Sequence, residues 1–141
     1  MTPEETRMEQ QYQTALTNLK SSSLEDRFES LEILLELGDY KDAEARSEEL
    51  INEYGGLAAI GARYWEGQDV TQDYGKAMEW YQKAVDLGDT LAMCNIGVLY
   101  ENGYGVKQDY QKALEWYQKA AELGDGLAKD EMTRLKDKMS K

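Results

Sequence analysis

The chain has 141 residues, 41% of them hydrophobic, with one proline, one cysteine and no histidine. Without histidine it lacks the commonest general base and zinc ligand, and a lone Cys94 forms neither an internal disulfide nor a Cys/His metal cluster. The net charge of −12 repels nucleic-acid backbones and anionic membranes and draws basic partners in from solution, although acidic helical surfaces mostly serve solubility.

Thr2-Pro3-Glu4-Glu5 is a helix start: Thr2 caps, Pro3 suits the first helical position, and Glu5 completes a capping box. Tyr12, Ala15, Leu16 and Leu19 follow at helical spacing, predicting a first helix over 3–20. Ser21-Ser22-Ser23 breaks it, and Ser22 or Ser23 caps a second helix over 24–37. Gly38 supplies a left-handed turn, and Asp39 is read as the cap of a third helix over 40–54. Residues 1–56 hold 14 acidic and 5 basic side chains, so −9 of the charge sits in this segment.

From there the chain repeats itself every thirty-six residues. Asp73-Tyr74, Lys76-Ala77, Glu79-Trp80-Tyr81-Gln82-Lys83-Ala84 and Leu87-Gly88-Asp89 return as Asp109-Tyr110, Lys112-Ala113, Glu115-Trp116-Tyr117-Gln118-Lys119-Ala120 and Leu123-Gly124-Asp125. Laying 60–92 on 96–128 matches 21 of 33 positions. A fixed period of this length marks helix pairs stacked so that each copy covers its neighbour's apolar face. The pattern predicts helices over 57–66, 73–87, 91–102 and 109–123, then a capping helix over 127–139. The predicted fold is all-α, an α-solenoid of antiparallel helix pairs in a single domain. Its parts are degenerate N-terminal helices over 1–56, repeats over 57–92 and 93–126, and a C-terminal capping segment over 127–141.

The apolar face of the second helix of each repeat is read as including Leu87 and its counterpart, and that of the last helix as including Leu127 and Met139. Lys129, Asp130, Arg134, Lys136 and Lys138 read as the last helix's solvated face. Gly61 and Gly97 lie inside helices, where glycine costs about 0.5–1 kcal/mol against alanine. They are expected to let an aromatic of the paired helix approach the backbone. Gly105, and Asp69 at the same register, are expected in the left-handed region.

These residues resemble the Sel1-like repeat, a relative of the tetratricopeptide repeat. The run Cys94-x-Ile96-Gly97-x-x-Tyr100-x-x-Gly103-x-Gly105-Val106-x-x-Asp109-Tyr110-x-Lys112-Ala113-x-x-Trp116-Tyr117-x-Lys119-Ala120-Ala121-x-x-Gly124 follows its pattern nearly throughout, and 58–88 follows with fewer glycines. The resemblance covers 57–128 and implies antiparallel helix pairs in a right-handed superhelix, adaptor or scaffold roles, and no catalytic residues.

Trp80-Tyr81 and Trp116-Tyr117 recur on the apolar stripe and read as core rather than as a ligand platform. No carboxylate pair, calcium ladder or phosphate cradle appears, so the chain is expected to be no enzyme and to need no cofactor or metal. No signal peptide or membrane span is visible, which reads as a soluble, cytoplasmic protein. Trp65 is different, because its counterpart is Glu101 and the repeat does not demand tryptophan there. By position in the related tetratricopeptide fold, Ala58, Ala62, Trp65 and Glu66, with Cys94, Val98, Glu101 and Asn102, are expected to line a concave groove with an acidic rim. Alternatively, Trp65 packs beneath the N-terminal helices.

The leading expectation is therefore a non-catalytic module that binds a partner protein or peptide in this groove. The runner-up is a small acidic neutraliser, a toxin immunity protein or nucleic-acid mimic, that meets a basic enzyme with residues 1–56.

Overall fold

The computed structural model describes residues 1–141 and contains eight helices and no strand. They are α1 (Pro3–Leu19), α2 (Leu24–Leu37), α3 (Ala43–Glu53), α4 (Leu57–Glu66), α5 (Tyr74–Asp86), α6 (Thr90–Asn102), α7 (Tyr110–Glu122) and α8 (Gly126–Met139). No helix is long and apolar enough to cross a membrane. The chain divides into two compact units, residues 1–55 with 69–71, and residues 56–68 with 72–141.

In the first unit α1 packs on α2 and α2 on α3. Thr2 Oγ1 accepts the Glu5 amide at 3.1 Å, as the capping pattern predicts. Ala15, Phe28, Leu31 and Leu34 fill the core. Ser30, the one polar residue among them on α2, donates to the Ala15 carbonyl at 2.9 Å, so its burial leaves no orphaned hydroxyl.

The third helix starts later than its sequence suggests, at Ala43 instead of Tyr40. Asp39-Tyr40 imitates the start of the repeat's second helix, but long-range contacts override the local signal. Tyr40 donates to Glu9 of α1 at 2.5 Å, and the Lys41 ammonium lies 2.6 Å from the same carboxylate. Lys41 takes a left-handed φ of 50° to reach it, which ends any helical path through this turn. Tyr12 of α1 donates to Asp42, and Arg46 donates to that carboxylate at 2.9 Å, so α1 is fastened to both sides of the turn. Lys41, Tyr40 and Gln13, all donating to Glu9, hold its carboxyl down at about 2, with Lys41 contributing most.

In the second unit each helix packs on the next, α4 through α8. Asp73, Asp89, Asp109 and Asp125 cap α5, α6, α7 and α8, each accepting an amide three residues on at 3.0–3.1 Å. Gly67 and Gly103 end α4 and α6 in the left-handed region at φ 72° and 70°. Asp69 (φ 62°) and Gly105 (φ 72°) take the predicted left-handed positions.

The two helical glycines do what their placement suggests. A methyl added to Gly61 would stand 2.7 Å from the Tyr81 ring, and one added to Gly97 would stand 2.5 Å from the Tyr117 ring. Both tyrosines are almost wholly buried, as is Trp80, while Trp116 is half-buried and so only partly fits the core reading. Leu87 and Leu123 depart from the predicted apolar face. Each is the C-cap residue just beyond its helix, and they are 78% and 59% exposed. Leu127 and Met139, also assigned to an apolar face, are 56% and 41% exposed.

Candidate functional site

The first helices of the two repeats are α4 and α6, and their expected groove positions recur at i, i+4, i+7 and i+8, one face of each helix. Trp65 sits near the end of α4, half-buried. Its ring meets Tyr81 of α5 edge-on at 6.5 Å between centroids and Tyr104, in the loop after α6, at 6.0 Å. Tyr104 in turn stacks on Tyr74 at 4.9 Å and 16°. The α6–α7 loop reaches this far because Gly105 has no side chain: a methyl there would lie 2.7 Å from Tyr74 Cβ.

The result is a cluster of three partly exposed aromatics, Trp65, Tyr104 and Tyr74, all from the second unit. Trp65 is among the expected groove residues, and the two tyrosines are not. Their one local signal is the Gly-Tyr-Gly turn, which allows a ring to project from a loop that closely approaches its neighbour. Ala62 and Val98 are half-buried, and Glu66 and Asn102 are exposed. Glu66 lies close enough to raise the Tyr81 hydroxyl's pKa by its charge, after the larger effect of burial.

Three of the eight expected residues are buried. Ala58 is 7% exposed. Cys94 is 4% exposed and packs with Met93, Ala120 and Ala128, and burial pushes its thiol up to about 11. Glu101, expected on an acidic rim, is turned inward and 3% exposed. It accepts from Arg134 of α8 through both oxygens, at 2.8 and 2.6 Å, and from the Tyr117 hydroxyl at 2.9 Å. Lys138 lies 3.5 Å away. Arg134 holds the Glu101 carboxyl below the usual range against the opposing effect of burial. Arg134 and Lys138 stay exposed, as expected of the outer face, while their charged ends reach Glu101 and clamp α8 onto the second repeat. A buried carboxylate needs such partners, since unpaired it carries a desolvation cost of several kcal/mol.

No group of His, Cys, Asp or Glu side chains is arranged to hold a metal ion. The arrangement offers an apolar aromatic surface and no paired acid and base.

The profile of the Sel1 repeat matches residues 56–89 and 90–125. No curated protein matches the sequence. Among solved structures, a Sel1 repeat protein from Oxalobacter formigenes is similar at 27% identity and a TM-score of 0.56, over 90% of this chain and 88% of that one. Cysteine rich protein B of Helicobacter pylori shares the fold at 24% identity and a TM-score of 0.50, over 86% of this chain and 93% of that one. Through its two consecutive repeats, each built on a glycine that admits a tyrosine of the paired helix, the chain belongs to the Sel1-repeat family.

Proposed function

We propose that this protein is a non-catalytic interaction module that binds a partner protein or peptide on the face carrying Trp65. The observation that supports this most is the partly exposed tryptophan at a position where the second repeat has an inward glutamate. Tryptophan is the residue type most enriched at binding hot spots, and the flanking Tyr104 and Tyr74 enlarge the surface it offers. The buried Ala58, Cys94 and Glu101 leave the proposed surface, which now comprises Trp65, Tyr104, Tyr74, Ala62, Val98, Glu66 and Asn102. Membership of a helical-repeat family is consistent with adaptor or scaffold use.

The test is a tagged pull-down from the native host read by mass spectrometry, followed by titration calorimetry of Trp65→Ala against the partner. Loss of a hot-spot tryptophan is expected to weaken binding about thirtyfold, equivalent to roughly 2 kcal/mol, with helical content unchanged. Wild-type affinity in a folded Trp65→Ala protein would move the site elsewhere, with the acidic helices of residues 1–55 the next candidate.

A further inference from the structure

The thirty-six-residue register lays α6 on α8, so the chain contains two versions of one junction. In the second version, Glu101 and Tyr110 receive cations from α8: Arg134 grips the carboxylate, and the Lys138 ammonium lies 5.2 Å from the Tyr110 ring centre. In the first version Trp65 and Tyr74 occupy the registers of Glu101 and Tyr110, and Val98 and Asn102 those of Arg134 and Lys138. The chain supplies no cation there. None stands over Trp65, Tyr74 or Tyr104, and none pairs with Glu66.

This absence contrasts with the neighbouring rings. Lys76 lies over Tyr64 at 5.5 Å, Lys112 over Tyr100 at 5.4 Å, Lys83 over Trp80 at 5.8 Å and Lys119 over Trp116 at 5.3 Å. Aromatic faces attract cations, and tryptophan attracts them most strongly. Glu66, exposed and next to Trp65 in the chain, adds a carboxylate, and the protein carries a net charge of −12. Both features favour a positive occupant over a second copy of this chain.

We infer that the Trp65–Tyr104–Tyr74 cluster receives an arginine or lysine side chain of a partner polypeptide, in the place that the chain's own Arg134 and Lys138 fill at the second junction. This rests on the reading of Trp65 as the binding surface and adds the chemistry of what binds there. Cation and ring attract each other while the aliphatic stem of the same side chain lies along the apolar ring faces.

The first experiment uses tetra-arginine amide and its tetra-citrulline counterpart, which keeps the shape and loses the charge. Protein labelled with 15N on tryptophan gives three indole resonances, with Trp65 assigned by Trp65→Phe. Tetra-arginine is expected to move the Trp65 resonance and leave those of Trp80 and Trp116 in place, while tetra-citrulline moves none. Tyr104→Leu and Glu66→Gln, each checked for unchanged circular dichroism, are expected to weaken this binding several-fold. Equal shifts from both peptides, or tetra-arginine binding that survives Tyr104→Leu and Glu66→Gln unchanged, overturn the inference.

The second experiment separates it from the broader reading. With the natural partner in hand, replacing its interface arginine or lysine by glutamine should weaken binding about tenfold to the wild type and far less to Trp65→Leu. If Trp65→Leu weakens the partner but no cation replacement does, the surface stands and the cation is refuted. If Trp65→Leu has no effect, the surface itself is refuted.

Discussion

Replacing Gly97 by alanine isolates the close approach on which each repeat is built. At an ordinary helix interior this change stabilises by about 0.5–1 kcal/mol. Here the added methyl would lie 2.5, 2.8 and 3.0 Å from three carbons of the Tyr117 ring, against the roughly 3.5–4.0 Å of a normal carbon contact. The ring has little room to retreat, because Tyr117 is fully buried and its hydroxyl is tied to Glu101 at 2.9 Å. Overpacking of this kind costs about 1–3 kcal/mol, and the upper part of that range applies to a tethered ring. Net of the helix gain, Gly97→Ala should destabilise by about 1–2.5 kcal/mol, read as a urea midpoint lowered by about 0.5–1 M in far-UV circular dichroism. Gly61→Ala meets the Tyr81 ring at 2.7 Å, but that tyrosine has no such tether, so the penalty should be smaller. Tyr117→Phe cuts the tether and should reduce the cost of Gly97→Ala by at least about 0.5 kcal/mol in a double-mutant cycle. A Gly97→Ala protein as stable as the wild type would refute the reasoning.

Glu101 gives a pH signature. Its carboxyl is held below the usual range by Arg134, so the stabilisation it brings is present above the ordinary glutamate pKa of about 4.3 and is lost as pH falls through the lower folded value. The stability gap between wild type and Glu101→Gln should be constant from about pH 7 to 5 and narrow below about pH 4; a gap unchanged at the acid end would mean that the clamp is not ionic. Trp80→Ala should cost about 3–5 kcal/mol and Trp116→Ala clearly less, since Trp80 is wholly buried and Trp116 half-exposed; equal denaturation midpoints would contradict this packing. Cys94, buried and with its thiol raised to about 11, should react with a disulfide reagent at pH 8 on the order of a hundredfold more slowly in the folded protein than in urea, and an immediate reaction would mean that its surroundings are open.

What could be read from the chain was local or periodic. Caps at Thr2, Asp73, Asp89 and Asp109, the left-handed Asp69 and Gly105, and the glycines that admit a ring depend on a few adjacent residues or on the register. What escaped depends on partners far along the chain. The start of α3 is set by Glu9, thirty-one residues from Tyr40, and the burial of Glu101 by Arg134, thirty-three residues on. A lone glutamate reads as a solvated charge until its arginine is known. The same blindness hid Tyr104, because a loop ring has no periodicity to show which neighbour it will stack on.

The difference between the two junctions makes the order of the repeats matter. Copying residues 66–101 in place, the simplest way to lengthen the array, would set the earlier Glu101 opposite a second Val98 instead of Arg134. That carboxylate would be buried with no guanidinium to receive it, a fault worth several kcal/mol. Growth of the array by duplication is therefore penalised unless the earlier copy replaces Glu101 by an uncharged residue, such as the tryptophan found at position 65. Residue 101 acts as a stop sign in the sequence: glutamate there specifies that the next helix must carry arginine, and tryptophan leaves the succession open.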